Sequence, residues 1–266
     1  MTLVHRRLAL IVLAAVVAVL PASADAQKKK KKATAKPACG MKELPFVPGA
    51  EWKYQYYVPE GVQLPPGVRI QDPQELTIKV TKVAKAGPKT VISLEETYRK
   101  VVVNTELECD KKTGLTVPVD SFFFAGQPGG GLQMKLGKVE RKAETNVFTG
   151  GALKGEAFEE IKTSATREPS PQTGAVLVPA KLEVERKMTV GAQKETVESG
   201  VGSHKATRLA ISMTGRATLE NTPDKPFNFP PLDVAMFFAP DVGVVQVRNS
   251  QGQGWKLAEH KVAGEE

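Results

Sequence analysis

Histidine, cysteine and long apolar runs are all scarce in this chain, and each scarcity removes a class of function. Three histidines occur in 266 residues, and one of them, His5, sits in the N-terminal leader. Acid–base work near neutral pH therefore has His204 and His260 to draw on, both read as loop or strand residues at the surface. The two cysteines, Cys39 and Cys109, are too far apart for a Cys-x-x-Cys redox pair. With so little histidine they do not make a zinc or haem site either, and calcium loops of alternating Asp and Asn are missing. No metal or cofactor is expected. The one unbroken apolar run, Leu8 to Leu20, has 13 residues, well short of the roughly 20 that a membrane-crossing helix needs.

Recognisable catalytic settings are missing as well. Ser203 lies in Gly202-Ser203-His204, which supplies neither an acid nor the Gly-x-Ser-x-Gly elbow of a serine hydrolase. Gly131 stands one position too far from Gly137-Lys138 for a phosphate loop, and Val139 replaces its hydroxyl. Glu95-Glu96 and Glu159-Glu160 are adjacent pairs, and neighbours on a strand point to opposite faces, so both pairs read as solvated surface.

What is present begins with an address. Arg6 and Arg7 precede the apolar run, and Ala22-Ser23-Ala24 and Ala24-Asp25-Ala26 offer small-x-small cleavage sites, so residues 1–26 read as a signal peptide. The mature protein is then expected in the periplasm or outer envelope. The net charge of +8 is concentrated rather than spread: the leader carries +1 and Lys28 to Lys32 with Lys36 carry six more, which leaves +1 from Pro37 onward. A nucleic-acid partner would need its basic residues clustered on the folded part, so none is expected. Residues 27–45 read as a flexible lysine-rich tail, either a solvated spacer or a tether to an anionic surface. In an oxidising compartment Cys39 and Cys109 are expected to form a disulfide.

From residue 46 to 262 the pattern is that of strands and turns. Lys53-Tyr54-Gln55-Tyr56-Tyr57 is aromatic and strand-like, and Leu76, Ile78 and Val80 alternate with polar neighbours. Val91 to Tyr98 forms a second strand of this meander. Val101, Val103, Thr105, Leu107 and Cys109 share one face of the next strand, which turns Cys109 toward the core. Leu115, Val117 and Val119 continue toward Phe122-Phe123-Phe124, while residues 126–173 give no clear pattern. Alternation returns at Leu182, Val184, Met188 and Val190, interrupted by Arg186, and again at Leu209, Ile211 and Met213. Asp233 to Pro240 is a short apolar segment, and residues 241–247 with 255–257 suggest a closing hairpin. No run supports a helix of three turns. The fold class is therefore all-β, a curved antiparallel sheet or open half barrel with few short helices; the spacing shows no internal repeat, and two similar halves at 46–125 and 175–262 are one arrangement it allows.

Three segments in this order, Pro48 to Tyr54, Gly200 to Leu209 and Phe238 to Val245, resemble the TapB-like exported bacterial envelope proteins of uncharacterised function. That antiparallel sheet is similar to the half barrels of periplasmic lipoprotein carriers. His204 stands where an aromatic is expected in that pattern. The resemblance implies an envelope protein whose sheet could hold a lipid, a lipoprotein or another envelope protein. With export, aromatic strands and few catalytic groups, the leading expectation is a non-enzymatic binder of an apolar ligand or lipidated partner. Phe122, Phe123, Phe124, Met236, Phe237 and Phe238 are its expected concave face. A purely structural or interaction module of an envelope complex is the alternative, and an unrecognised hydrolase using Ser203, His204 or His260 a further one.

Overall fold

The computed structural model describes residues 36–62, 74–128, 134–167 and 179–261. The expected signal peptide and Lys28–Lys32 lie outside the described residues.

The strands follow the chain as an antiparallel meander. β1 (Glu51–Tyr57), β2 (Glu75–Ala86), β3 (Lys89–Tyr98), β4 (Val101–Asp110) and β5 (Gly114–Thr116) form one wing. A single helical turn, α1 (Phe122–Ala125), follows. After it come β6 (Met134–Leu136), β7 (Glu140–Ala143), the small hairpin β8 (Phe148–Thr149) and β9 (Ala152–Leu153), and β10 (Glu156–Arg167). The long hairpin β11 (Ala180–Ser199) and β12 (Gly202–Leu219), the short β13 (Phe227–Asn228), and β14 (Leu232–Ala239), β15 (Gly243–Asn249) and β16 (Gly254–Lys261) complete the chain.

Fourteen of these strands make one sheet in the order β5-β4-β3-β2-β1-β16-β15-β14-β12-β11-β10-β6, with β13 added beside β12 and β7 beside β10. β1 pairs with both β2 and β16, so the last strand closes against the first and joins the two wings into one sheet. The large sheet is curved and not closed into a barrel, as the alternation predicts. Register shifts at Lys53/Tyr54, Val80/Lys82, Val190/Lys194 and Phe237/Phe238 place extra residues on one strand of each pair, which increases local twist. The alternation read in β4 is present in the fold: Thr105, Leu107 and Cys109 are buried and Asn104, Glu106 and Glu108 exposed.

The apolar interior is one cluster drawn from both wings. Three pieces of chain fill the concave side. Residues 38–50 lay Met41, Leu44, Phe46 and Val47 against it, and Phe46 meets the ring edges of both Trp52 and Phe123. The expectation of a flexible tail through residue 45 is corrected here, since Met41 and Leu44 are core residues. α1 supplies Phe122, packed on Tyr54, and the β8–β9 hairpin supplies Phe148, packed on Phe238. Cys39 and Cys109 are bonded, with Cα atoms 5.7 Å apart, which ties the first segment to β4. Closing that loop stabilises the fold by roughly 4 kcal/mol in the chain-entropy model.

The convex side is covered at its centre by the end of the β11–β12 hairpin. The Gly200 N–H donates to the Leu257 carbonyl at 2.6 Å, and Glu195 pairs with Arg248 at 3.4 Å. The Arg248 guanidinium in turn lies 4.3 Å from the centre of the Phe237 ring. β14 therefore has neighbours on both faces, and its residues from Val234 to Ala239 are all buried.

Candidate functional site

As a strand, Phe122-Phe123-Phe124 would turn at least one ring toward a second layer, a loop or a ligand. It is instead the α1 turn, and all three rings are buried. Ser121 caps its start by accepting the Phe123 N–H, and Gly126 ends it in the left-handed conformation at φ 65°. A side chain at Gly126 would also collide with Val247, so the turn sits flush on the concave face. Met236, Phe237 and Phe238 are likewise fully buried. The six residues expected to form an open ligand face belong to the packed interior and its two coverings.

Two buried ionisable side chains hold α1 at its ends. At the start, Glu96 accepts hydrogen bonds from Ser121 Oγ at 2.7 Å, the Phe122 N–H at 2.8 Å and Thr105 Oγ1 at 3.3 Å. Burial pushes the Glu96 carboxyl up to about 7, although the three donors pull in the opposite direction. At the end, Arg186 donates to the Phe124 carbonyl at 2.6 Å and to Glu159 Oε2 at 2.7 Å, and its guanidinium lies 3.8 Å from the Phe124 ring centre. Burial lowers Arg186 to about 10, and Glu159 opposes that shift, so the guanidinium is charged at neutral pH. Glu96 and Glu159, read from sequence as solvated surface, are thus corrected to buried positions. Arg186, the interruption in an apolar stripe, is the residue that joins β11 to α1.

Beyond this join lies a groove. Glu159, Arg186 and Met213 form one cross-strand row, and two residues further along lies the row Ile161, Val184 and Gly215. Paired residues share a face, so the second row continues the surface on which α1 sits. The Phe229 N–H donates to the Gly215 carbonyl at 2.8 Å, and the Phe229 ring lies where a Gly215 Cβ would point. A larger residue at 215 would displace that ring. The result is a groove of about 760 Å³ with Ile161, Val184 and Gly215 as floor and Phe229 and Pro231 as wall. Its rim is charged: Glu183 pairs with both Arg216 and Lys162. Phe227, half exposed, packs edge-on against Phe229 at 5.6 Å.

The groups weighed for catalysis are not gathered there. The His204 Nε2 lies 3.1 Å from Ser199 Oγ, within its own hairpin. His260 stacks on Trp52 at 5.8 Å. Ser203 is exposed at the hairpin end. Among the described residues no group of three or more His, Cys, Asp or Glu side chains is placed to hold a metal ion, and no helix is long and apolar enough to cross a membrane.

The three segments of the TapB-like pattern do meet in space. Trp52 Nε1 donates to the Val242 carbonyl at 2.6 Å, Tyr54 Oη to the Val244 carbonyl at 3.0 Å, and Thr207 pairs with Phe238. No family model matches the chain, however, and no curated protein does, so that resemblance rests on the three segments alone. Among solved structures the chain is similar to a Parabacteroides distasonis protein described as a lipoprotein, with a TM-score of 0.52 and 11% identity over 85% of this chain and 100% of that one. It is also similar to a Bacteroides fragilis protein described as exported and having a YmcC-like fold, with a TM-score of 0.44 and 12% identity over 81% of this chain and 96% of that one. At these identities the likeness to the first is one of fold.

Proposed function

We propose that this is an exported, non-enzymatic envelope protein that holds an apolar group, carried by a ligand or a lipidated partner, in the groove over β10, β11 and β12. The observation that carries this reading is the contrast within one face. The concave side is filled by the chain itself as far as Arg186, whereas the next row, with Ile161 buried and Val184 half-buried, borders a groove walled by Phe229 and Pro231. A volume of about 760 Å³ lies within the range of small-molecule sites, which run from roughly 300 to 1,000 Å³. Half-exposed aromatic rings beside a charged rim suit a ligand with an apolar body and a polar end. The leader sequence, and fold neighbours described as exported protein and lipoprotein, support the envelope as its location.

The groove is lined by Ile161, Val184 and Phe229, whereas Phe122–Phe124 and Met236–Phe238, the expected ligand face, are buried in the interior. Native mass spectrometry of protein purified from its own envelope, followed by organic extraction, tests the reading. A bound lipid-like mass that disappears in Val184→Lys supports it, and an empty protein under the same conditions contradicts it. The filled interior favours a second reading, an interaction module that carries no small ligand. A stable crosslink to one envelope protein together with an empty groove would select that reading.

A further inference from the structure

The two edges of the large sheet are finished differently. At one end of the strand order β6 and β7 lie outermost beside β10; β6 has three residues, and β7 reads Glu140-Arg141-Lys142-Ala143. Shortness and charge of this kind keep a sheet edge from pairing with another chain. At the other end, β5 covers β4 only from Glu108 to Asp110. Beyond β5 the chain turns onto the concave face, where Ser121 reaches Glu96, and among the described residues no strand pairs with the outer side of β4 from Val101 to Leu107. That stretch begins Val101-Val102-Val103-Asn104-Thr105, without charge or proline, and its register with β3 runs without a bulge. No protective device appears on it before Glu106.

The backbone of this edge is set for pairing. Tyr98 and Val101 pair across a two-residue loop, and such a loop closes on a pair that exchanges its hydrogen bonds. Val101, Val103 and Thr105 therefore aim their N–H and C=O groups at β3, while Val102, Asn104 and Glu106 aim theirs outward. The side chains of these last three are exposed. Charge runs along the edge in one sense: Lys100 precedes the valines and Glu106 follows them, and among the described residues neither forms an ion pair. An antiparallel strand that complements this edge must be acidic where β4 is basic and basic where β4 is acidic. β4 itself, turned end for end, has that order.

We propose that the mature chain forms a two-fold dimer by antiparallel pairing of two β4 edges, with Val103 opposite its own counterpart. In that register Val102 lies opposite Asn104 of the second copy, so that their outward backbone groups meet, and Lys100 lies opposite Glu106 of the second copy. A second copy fits better than an unrelated strand because two charges left unpaired within one chain neutralise each other twice across the axis, as a self-complementary contact does. The β2–β5 wings then join into one continuous sheet, and the groove over β10 to β12 lies toward the far end of the strand order in each copy.

Sedimentation equilibrium of the mature chain over a dilution series tests this. The parent should be dimeric. Lys100→Glu and Glu106→Lys should each weaken the dimer on the order of tenfold, since each sets like charges opposite one another at both symmetric points. Combining the two substitutions restores both pairs and should bring the dimer back, a result that a different partner or a segment of the same chain on this edge could not give. Asn104→Pro removes an outward N–H and no bond to β3, and should abolish the dimer. All of these positions are exposed, so the circular dichroism spectra should match the parent. A parent that stays monomeric at every concentration would overturn the proposal and leave the edge to another occupant. Single swaps that dimerise like the parent, or a double variant as weak as the singles, would overturn it too.

Discussion

β14 and the first half of β11 lie two strands apart in one sheet, yet they are built on opposite plans. β14 has covering on both faces, from α1 and the β8–β9 hairpin on one side and the end of the β11–β12 hairpin on the other, and its sequence is an apolar run from Val234 to Ala239. β11 between Leu182 and Met188 is covered less fully, and its sequence alternates, with Glu183, Glu185 and Lys187 facing away from the interior. The comparison teaches that a continuous run records two coverings and an alternation records one. Arg186 is the one polar residue on the inner side of that alternation, and beyond it Val184 and Leu182 are only half-buried.

Breaking the doubly covered region should cost the most. Phe237→Ala would leave a cavity that neither layer can close and should lower stability by about 3–5 kcal/mol, measured by urea unfolding. A loss below about 1 kcal/mol would mean that the hairpin end does not pack on β14. Arg186→Met leaves Glu159 buried without a partner, and should cost a similar roughly 3–5 kcal/mol. Adding Glu159→Gln to that variant should recover part of the loss, which would show that the unpaired charge is responsible.

Glu96 sharpens the comparison through pH. Its carboxyl is raised from 4.5 to about 7 in the folded chain, so the native state holds a proton that the unfolded state has released over that interval. The stability from this group is complete below pH 4.5 and is lost as pH rises through about 7, a change of roughly 3 kcal/mol. The groups facing it are Ser121, Thr105, Asp120, Tyr54 and the Phe122 N–H. Glu96→Gln should remove this slope, and denaturant midpoints of parent and variant between pH 4.5 and 8 would reveal it. Identical pH profiles would place the Glu96 carboxyl in its ordinary range. The smallest effect belongs to the groove: Phe229→Ala should change stability by less than about 1 kcal/mol, because the ring is only partly buried.

Much of the sheet could be read directly. The faces of β4, the pairing-competent runs of β2, β3, β12 and β14 and the disulfide all follow from periodicity, residue type and compartment. α1 did not, because four residues are too few to display a helical period and Phe-Phe-Phe has strand-like composition. Its only local marks are the serine before it and the glycine after it. β10 was hidden for another reason: its inner face reads Ala157, Glu159, Ile161, Thr163 and Ala165, too small and polar to stand out as apolar alternation. The burial of Glu96 and Glu159 depends on Ser121 and Arg186, some 25 residues away in each case. Neighbouring residues carry no trace of such partners, so the groove that begins at Arg186 could not be located from periodicity.

The central proposal is that the groove beyond Arg186, walled by Phe229 and Pro231, holds an apolar group. Titration of a fluorescent fatty-acid probe into the parent and Val184→Lys proteins tests it most directly. Saturable one-to-one binding by the parent that is lost in Val184→Lys and kept in Val102→Lys, at an exposed position on the other wing, is the predicted result. Absence of saturable binding, or equal binding by all three proteins, would contradict it.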